Sequence, residues 1–327
     1  MSPDERTYRE QLEPYRRELH AHCYRMLGSA QDVEDAVQTA LMQAWRGLHR
    51  FERRSSARTW LYSIATNVCL RMIQRRPKRV LPVDYGPPSD PHDPGAEPAV
   101  ESLWIEPFPD AMLADAETPD GRYEQREAVE LAFIAALQHL PARQRAVLIL
   151  RDVLGFSARE TAEALDTTPV SIDSALQRAH KAIDARLAER SQQATLRSLD
   201  DRELKQLAEE FVAAWERADV DALVTLLAAD AVFAMPPEPT WFTGPDAIGA
   251  FVAAYPLAPW APRIRMVPTS ANGQLAFGHY SWREEQNAFM PHAITVLTLR
   301  SAQIAQITIF KRAEAFAGFE LPNRIEA

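Results

Sequence analysis

From Leu81 to Gly121 the sequence reads "LPVDYGPPSDPHDPGAEPAVESLWIEPFPDAMLADAETPDG". A proline inside a helix lacks the amide hydrogen and clashes with the preceding turn, so no long helix can cross this stretch. Its Pro, Asp and Glu content predicts an extended acidic linker. The chain therefore folds as one block before the linker and at least one after it. The exception within it is "LWIEPFPD", whose Leu103, Trp104, Ile105 and Phe108 need a docking surface to stay out of water.

Residues 5–80 read as helical, and residues 123–190 read as helical again and are short of glycine. A brief polar stretch, "SQQATLRSLDD", follows. From Leu204 two helices precede runs that alternate with period two: "RIRMVPTS", "QLAFGHYSW", "AITVLTL" and "IAQITIF". Asn272-Gly273 between two such runs is a hairpin signal. The expected organisation is a helical block at 1–80, a linker at 81–121, a helical block at 122–192, a second linker at 193–203 and an α+β domain at 204–327. The fold class is thus multidomain, two all-α blocks followed by an α+β domain.

The 327 residues carry a net charge of −9 and a pI near 5.5, which argues against a polyanion partner for the molecule as a whole. Basic residues nevertheless cluster between Arg46 and Arg79, and a local patch of that kind can bind phosphates. Two cysteines, Cys23 and Cys69, are too few for a disulfide framework and suit a reducing cytoplasm. His20, His22 and Cys23 sketch half a zinc site with no second cluster nearby, so helix packing is the expectation, with no metal and no cofactor. A charged, polar amino-terminal stretch and the absence of a bilayer-length apolar run predict a cytoplasmic protein without membrane contact.

"ARTWLYSIATNVCLRMIQRR", residues 57–76, has arginines at both ends and no acid. On a helical wheel Trp60, Leu61, Ile64, Ala65, Val68 and Met72 form an apolar stripe. Thr59, Ser63, Thr66, Asn67 and Gln74 lie opposite. Short polar groups let a nucleic-acid backbone approach, arginines neutralise phosphate and aromatic faces stack on unpaired bases. A core helix with a solvated arginine rim has the same pattern. The preceding stretch, "SAQDVEDAVQTALMQAW", has Ser29 or Asp32 as its cap and acids in its first turn. Its buried stripe runs from Val33 through Val37 and Leu41 to Trp45, with Glu34, Asp35, Gln38 and Gln43 outward.

In the second block, "LPARQRAVLILRDVLGFSARETAEALDTTPVSIDSALQRAHKAI", Pro141 sits where a helix can start and Gly155 breaks the chain. Ser157 with Glu160 makes a capping box for a short helix that ends near Leu165. Thr168 caps the next, with Pro169 at its first position. Ile172, Ala175, Leu176, Ala179 and Ile183 point inward; Ser171, Ser174, Gln177, Arg178 and Lys181 point out. Such a helix-turn-helix reads a duplex through the major groove, and any helical hairpin in a bundle shares the pattern.

"DVEDAVQTALMQAWRGLHRFERRSSARTWLYSIATNVCLRMIQRR" resembles region 2 of the extracytoplasmic-function (group IV) sigma factors, promoter-recognition subunits of bacterial RNA polymerase. The second block resembles their region 4. The resemblance implies that Asp32, Glu34, Asp35 and Gln38 dock on core RNA polymerase. It implies that Arg54, Arg58, Thr59, Trp60, Tyr62, Asn67, Arg71 and Arg75 meet melted promoter DNA, with a flipped base held in the loop from Phe51 to Ala57. Ser171, Ser174, Gln177, Arg178 and Lys181 would read the upstream promoter element. Asp173 departs from the family's recognition helix: either it bonds a cytosine amino group or it faces away from DNA. The linker, by resemblance, threads polymerase channels.

"LAEEFVAAWERADVDALVTLLAADAVFAMPPEPTWFTGPDAIGAFV" resembles the start of SnoaL-like domains, of the nuclear-transport-factor-two-like fold, over roughly Leu204 to Glu314. These wrap helices around a curved sheet and leave a cavity, so Trp215, Phe233, Met235, Trp241, Trp282 and His292 are candidates to line one, with core packing the ordinary role of such aromatics. Enzymes of the fold place an Asp in the cavity for proton transfer; candidates are Asp230, His279, Glu284 and His292, none in a recognisable active set. The first reading is a sigma factor, not an enzyme, regulated in cis by this domain, with a small hydrophobic ligand as a further partner. The alternative is a SnoaL-like isomerase, cyclase or hydrolase with an amino-terminal DNA-binding section. A repressor or activator acting on duplex DNA alone is the third.

Overall fold

The structure, a computed structural model, describes residues 12–48, 56–93, 103–113, 119–187, 190–311, 313–316 and 318–326. The chain divides into two compact units. One holds 12–79 with 112–187; the other holds 80–111 with 190–326. The two helical blocks thus form a single unit, and the linker goes with the carboxy-terminal block.

In the helical unit, α1 (Arg16–Leu27), α2 (Ala30–Gly47) and α3 (Ala57–Ile73) pack on one another. α1 stops at Gly28, whose φ of 69° is the left-handed conformation that glycine adopts freely. Ser29, rather than Asp32, caps α2, and Ser56 caps α3. Helix ends at Ile73, short of the expected residue 80. α4 (Pro119–Glu127), α5 (Leu131–Gln138) and α6 (Ala142–Leu148) follow, α6 running into a π-turn at Ile149–Val153. α7 (Ala158–Ala164) has the Ser157/Glu160 capping box, and α8 (Pro169–Asp184) has the Thr168 cap and Pro169 in its first turn. His22 donates to or accepts from Thr66 Oγ1 at 2.9 Å, and burial lowers its pKa to about 3. His20 Nε2 meets Glu34 Oε2 at 2.9 Å and Cys23 is buried; among the described residues no group of three or more His, Cys, Asp and Glu is placed to hold a metal ion.

The second unit has α9 (Gln192–Ser198), α10 (Asp201–Glu216), α11 (Val220–Thr225) and α12 (Pro245–Ala254) against one six-stranded sheet. Its strands are β1 (Leu227–Ala234), β2 (Trp241–Thr243), β3 (Ile264–Ala271), β4 (Gln274–Arg283), β5 (Ala288–Arg300) and β6 (Gln303–Phe310), in the order β2-β1-β6-β5-β4-β3. All neighbours are antiparallel except β1 and β6. Asn272 and Gly273, at φ 56° and 67°, form the two-residue turn between β3 and β4.

The linker is docked within this unit. Phe108 and Asn272 exchange two hydrogen bonds of 2.9 Å, from Phe108 N to Asn272 Oδ1 and from Asn272 N to Phe108 O. Gly273 N donates to Asp110 Oδ1 at 2.8 Å. Trp104, Ile105 and Phe108 are buried, the fate their apolar side chains demanded.

Candidate nucleic-acid interface

α3 carries the side chains expected to meet opened DNA, and most of them are already engaged. Tyr62 is 1% exposed. Its hydroxyl donates to Glu18 Oε2 at 2.9 Å, and its ring meets Phe156 edge-on at 5.6 Å. Burial and the Glu18 carboxylate push its pKa up. The Arg58 guanidinium lies 4.9 Å from the Tyr62 ring and 5.4 Å from Phe156, and bonds Glu18 at 3.2 Å. Thr59, also buried, donates to Glu160 Oε1 at 3.4 Å, and Asn67 Nδ2 donates to the Ala164 carbonyl at 3.1 Å. The polar side of α3 therefore lies against α7 and Phe156 just before it. Thr59 and Tyr62 are thus covered in this structure: two helices that are far apart in sequence cover each other's polar faces.

Arg71 and Arg75 remain exposed. Trp60 is half-buried, its ring so close to Gly47 that a Cβ there would stand 3.2 Å from Trp60 Cζ2. Arg54, with most of the loop from Phe51, lies outside the described residues.

Buried arginines fasten the same packing. Arg145 donates to Gln138 and to the Met26 carbonyl at the end of α1. Arg25 donates to the Ala128 carbonyl at 3.0 Å. Neither meets a carboxylate in these bonds. Burial lowers both pKa values to about 10, and both stay charged at neutral pH.

On α2, Glu34, Asp35 and Gln38 are exposed. Asp32 is not: it is 5% exposed and pairs with Arg79 at 2.8 Å and with Arg76. That corrects its place on the docking face; its partners lie more than forty residues on, beyond the reach of a helical wheel. Trp45, expected in the buried stripe, is 37% exposed beside exposed Met42. On α8, Ser171, Asp173, Ser174, Gln177, Arg178 and Lys181 all face solvent, while Ile172, Ala179 and Ile183 are buried.

The carboxy-terminal unit holds a cavity of about 310 Å³, lined by Trp215, Phe233, Met235 and His292 as expected, and also by His279 and Lys311. Trp241 and Trp282 do not line it: the Trp241 indole donates to the Gly86 carbonyl at 2.8 Å, and Trp282 packs on Phe289 and under Arg263. Asp230 is on the surface, paired with Arg300, and Glu284 is exposed, so neither supplies a cavity carboxylate. The pairing of β4 with β5 slips between His279 and Tyr280: Ala293 faces His279, Pro291 faces Tyr280, and His292 is the extra residue. Such a bulge re-aims a side chain, and the His279 and His292 rings stand 5.4 Å apart. Sequence reading could not place this bulge; Pro291 within a strand is the one signal that hints at it.

A helical unit with a basic aromatic helix and a helix-turn-helix, on a chain that ends in a cavity-bearing sheet domain, defines a class of promoter-directing transcription factors. Sigma-70 region 2 matches residues 12–79, sigma-70 region 4 residues 130–183 and the SnoaL-like domain residues 208–311. The chain is 40% identical over 315 residues to the ECF RNA polymerase sigma factor SigG of Mycobacterium tuberculosis (strain ATCC 25618 / H37Rv), covering 96% of this chain and 83% of that protein. It is 30% identical over 184 residues to the RNA polymerase sigma-H factor of Pseudomonas aeruginosa, covering 56% of this chain and 88% of that one. The crystal structure of the Mycobacterium tuberculosis extracytoplasmic function sigma factor SigJ shares its fold, with a TM-score of 0.61 at 19% identity over 96% of this chain and 99% of that chain. The chain belongs to the extracytoplasmic-function sigma factors, and it is a transcription regulator with a carboxy-terminal SnoaL-like domain, not an enzyme.

Proposed function

We propose that this sigma factor joins core RNA polymerase in the cytoplasm through Glu34, Asp35 and Gln38 on α2, and directs it to promoters in a two-step engagement of DNA. α8 reads the upstream duplex through Ser171, Ser174, Gln177, Arg178 and Lys181. α3 then takes the opened strand through Arg58, Thr59, Trp60, Tyr62, Asn67, Arg71 and Arg75, with Arg54 from the preceding loop. The observation that carries this reading is the cover on α3: Thr59 and Asn67 spend their hydrogen bonds on Glu160 and the Ala164 carbonyl. A face occupied in that way becomes available to DNA only when α7 moves off it, and core polymerase is the partner that holds the two helical blocks apart.

Cis regulation acts through the linker. The Phe108–Asn272 and Asp110–Gly273 bonds hold the linker on the β3–β4 turn, and a linker held there cannot thread polymerase. A small apolar molecule in the cavity biases that hold, since β4 carries both the residues next to the turn and His279 of the cavity wall. Run-off transcription with purified core polymerase tests the proposal by comparing the full chain with one cut near Arg202. Protein-dependent transcripts that change in yield on truncation are the expected result. A chain that never supports initiation contradicts it.

A further inference from the structure

The cavity's own atoms indicate which molecules it accepts. Its walls are largely apolar, with Phe233, Met235 and Ile309 among them, and His279, Ser281, His292, Arg283 and Lys311 interrupt them. Among the described residues that line it there is no Asp or Glu. Lys311 is held by Glu238 at 2.9 Å, leaving Arg283 and two imidazoles with no acid beside them in the lining.

Two buried polar atoms of the lining have no partner in the protein: Trp215 Nε1 and His279 Nδ1, on residues 1% and 4% exposed. An indole N–H can only donate. Leaving such a group buried and unbonded costs about 1–3 kcal/mol, and a ligand acceptor removes that cost. The β4–β5 bulge adds His292 to the same wall, 5.4 Å from His279. Burial, with Lys311 nearby, lowers the His279 pKa to about 3 and the His292 pKa to about 4, so both rings are neutral at pH 7 and each offers one N–H. The lining sets two neutral imidazoles, the Trp215 indole and Arg283 among apolar groups and has no carboxylate of its own.

We propose that this cavity binds a small apolar carboxylic acid, its ring or chain against Phe233 and Met235 and its carboxylate accepting hydrogen bonds from Trp215 and the His279–His292 pair. This deepens the ligand reading above and rests on it. The volume of about 310 Å³ lies at the small end of ligand pockets, which run from about 300 to 1,000 Å³, and suits a mono- or bicyclic acid.

The test uses the full-length chain and two probes of one shape, 2-naphthoate and the uncharged 2-naphthamide, titrated calorimetrically at pH 7. Naphthoate is expected to bind about tenfold more tightly than the amide, a difference of about 1.4 kcal/mol. W215F keeps the apolar wall and removes the N–H, so it should weaken naphthoate by about three- to tenfold and the amide, whose uncharged carbonyl is the weaker acceptor, by less. H292L, at a half-buried position, should show the same selectivity if W215F fails to fold. Equal affinity for both probes, or equal weakening of both by either variant, overturns the acid assignment while leaving an apolar ligand in place. Binding of neither probe at millimolar concentration overturns both this proposal and the ligand reading beneath it.

Discussion

α8 and α3 are both assigned to promoter DNA, yet they stand in opposite conditions. On α8 every outward polar side chain, from Ser171 to Lys181, lies in solvent. On α3, Thr59, Tyr62 and Asn67 are bonded or stacked against α7 and the Phe156 that precedes it. The helix proposed to read duplex is fully presented to solvent, and the helix proposed for opened strands is covered. The cover is largely polar, and each of its hydrogen bonds is worth only about 0.5–1.5 kcal/mol net because water replaces it on opening. The sheet domain differs again: Phe211, Phe233, Phe242 and Ile307 belong to one apolar core.

The largest effect tests which acids on α2 belong to the fold. D32A strips Arg79 and Arg76 of their carboxylate, and breaking such a buried pair costs about 3–5 kcal/mol. D35A should change stability by less than about 0.5 kcal/mol and instead weaken polymerase binding. Urea melts and polymerase pull-downs of the two variants separate these roles; equal stability of both would remove the distinction.

Next, R178A on α8 should lower affinity for upstream duplex by about 1–3 kcal/mol. R71A on α3 should leave that affinity unchanged and suppress permanganate-reactive open complexes. If R71A weakens duplex binding as much as R178A does, the division of labour between the helices fails.

The two units should also part in acid. His22, His279 and His292 are held neutral at pKa values of about 3, 3 and 4 against an ordinary 6.5. Between those limits the unfolded chain binds more protons, so stability falls as pH drops below about 6.5, by at most about 1.4 kcal/mol per pH unit for each histidine. Two of the three lie in the sheet unit and one in the helical unit, so melts followed from pH 7.5 to pH 5 should show the sheet unit losing stability faster. Parallel losses in the two units would contradict this. The smallest change is expected of E160Q, which weakens the Thr59 bond across the α3–α7 contact and should raise open-complex yield severalfold, about 1 kcal/mol of relieved cover.

Local chemistry was readable in the sequence. The Ser157/Glu160 capping box, the Thr168-Pro169 helix start, the Asn272-Gly273 hairpin and the outward face of α8 depend on neighbours within a few residues. What escaped depends on distant partners. Asp32 is buried because Arg79 reaches it, and Tyr62 because Phe156 does. A helix covered on both sides, as α3 is, has polar residues on its second buried face, and on a helical wheel that face is indistinguishable from a solvated one. Asp230 was a candidate base by type alone; its pairing with Arg300 on the surface takes it out of the cavity. His292 reaches the cavity through a bulge that no spacing rule encodes.

The most direct measurement locks the cover in place. Ser63 Oγ donates to the Ala164 carbonyl at 3.4 Å, so S63C and A164C stand on the two sides of the α3–α7 contact, where a disulfide would tie the helices together, and the two native cysteines are buried. Run-off transcription by core polymerase with this double variant should be lost under oxidising conditions and return to the wild-type level on reduction. An oxidised, fully cross-linked chain that initiates as well as its reduced form would show that α3 never needs uncovering.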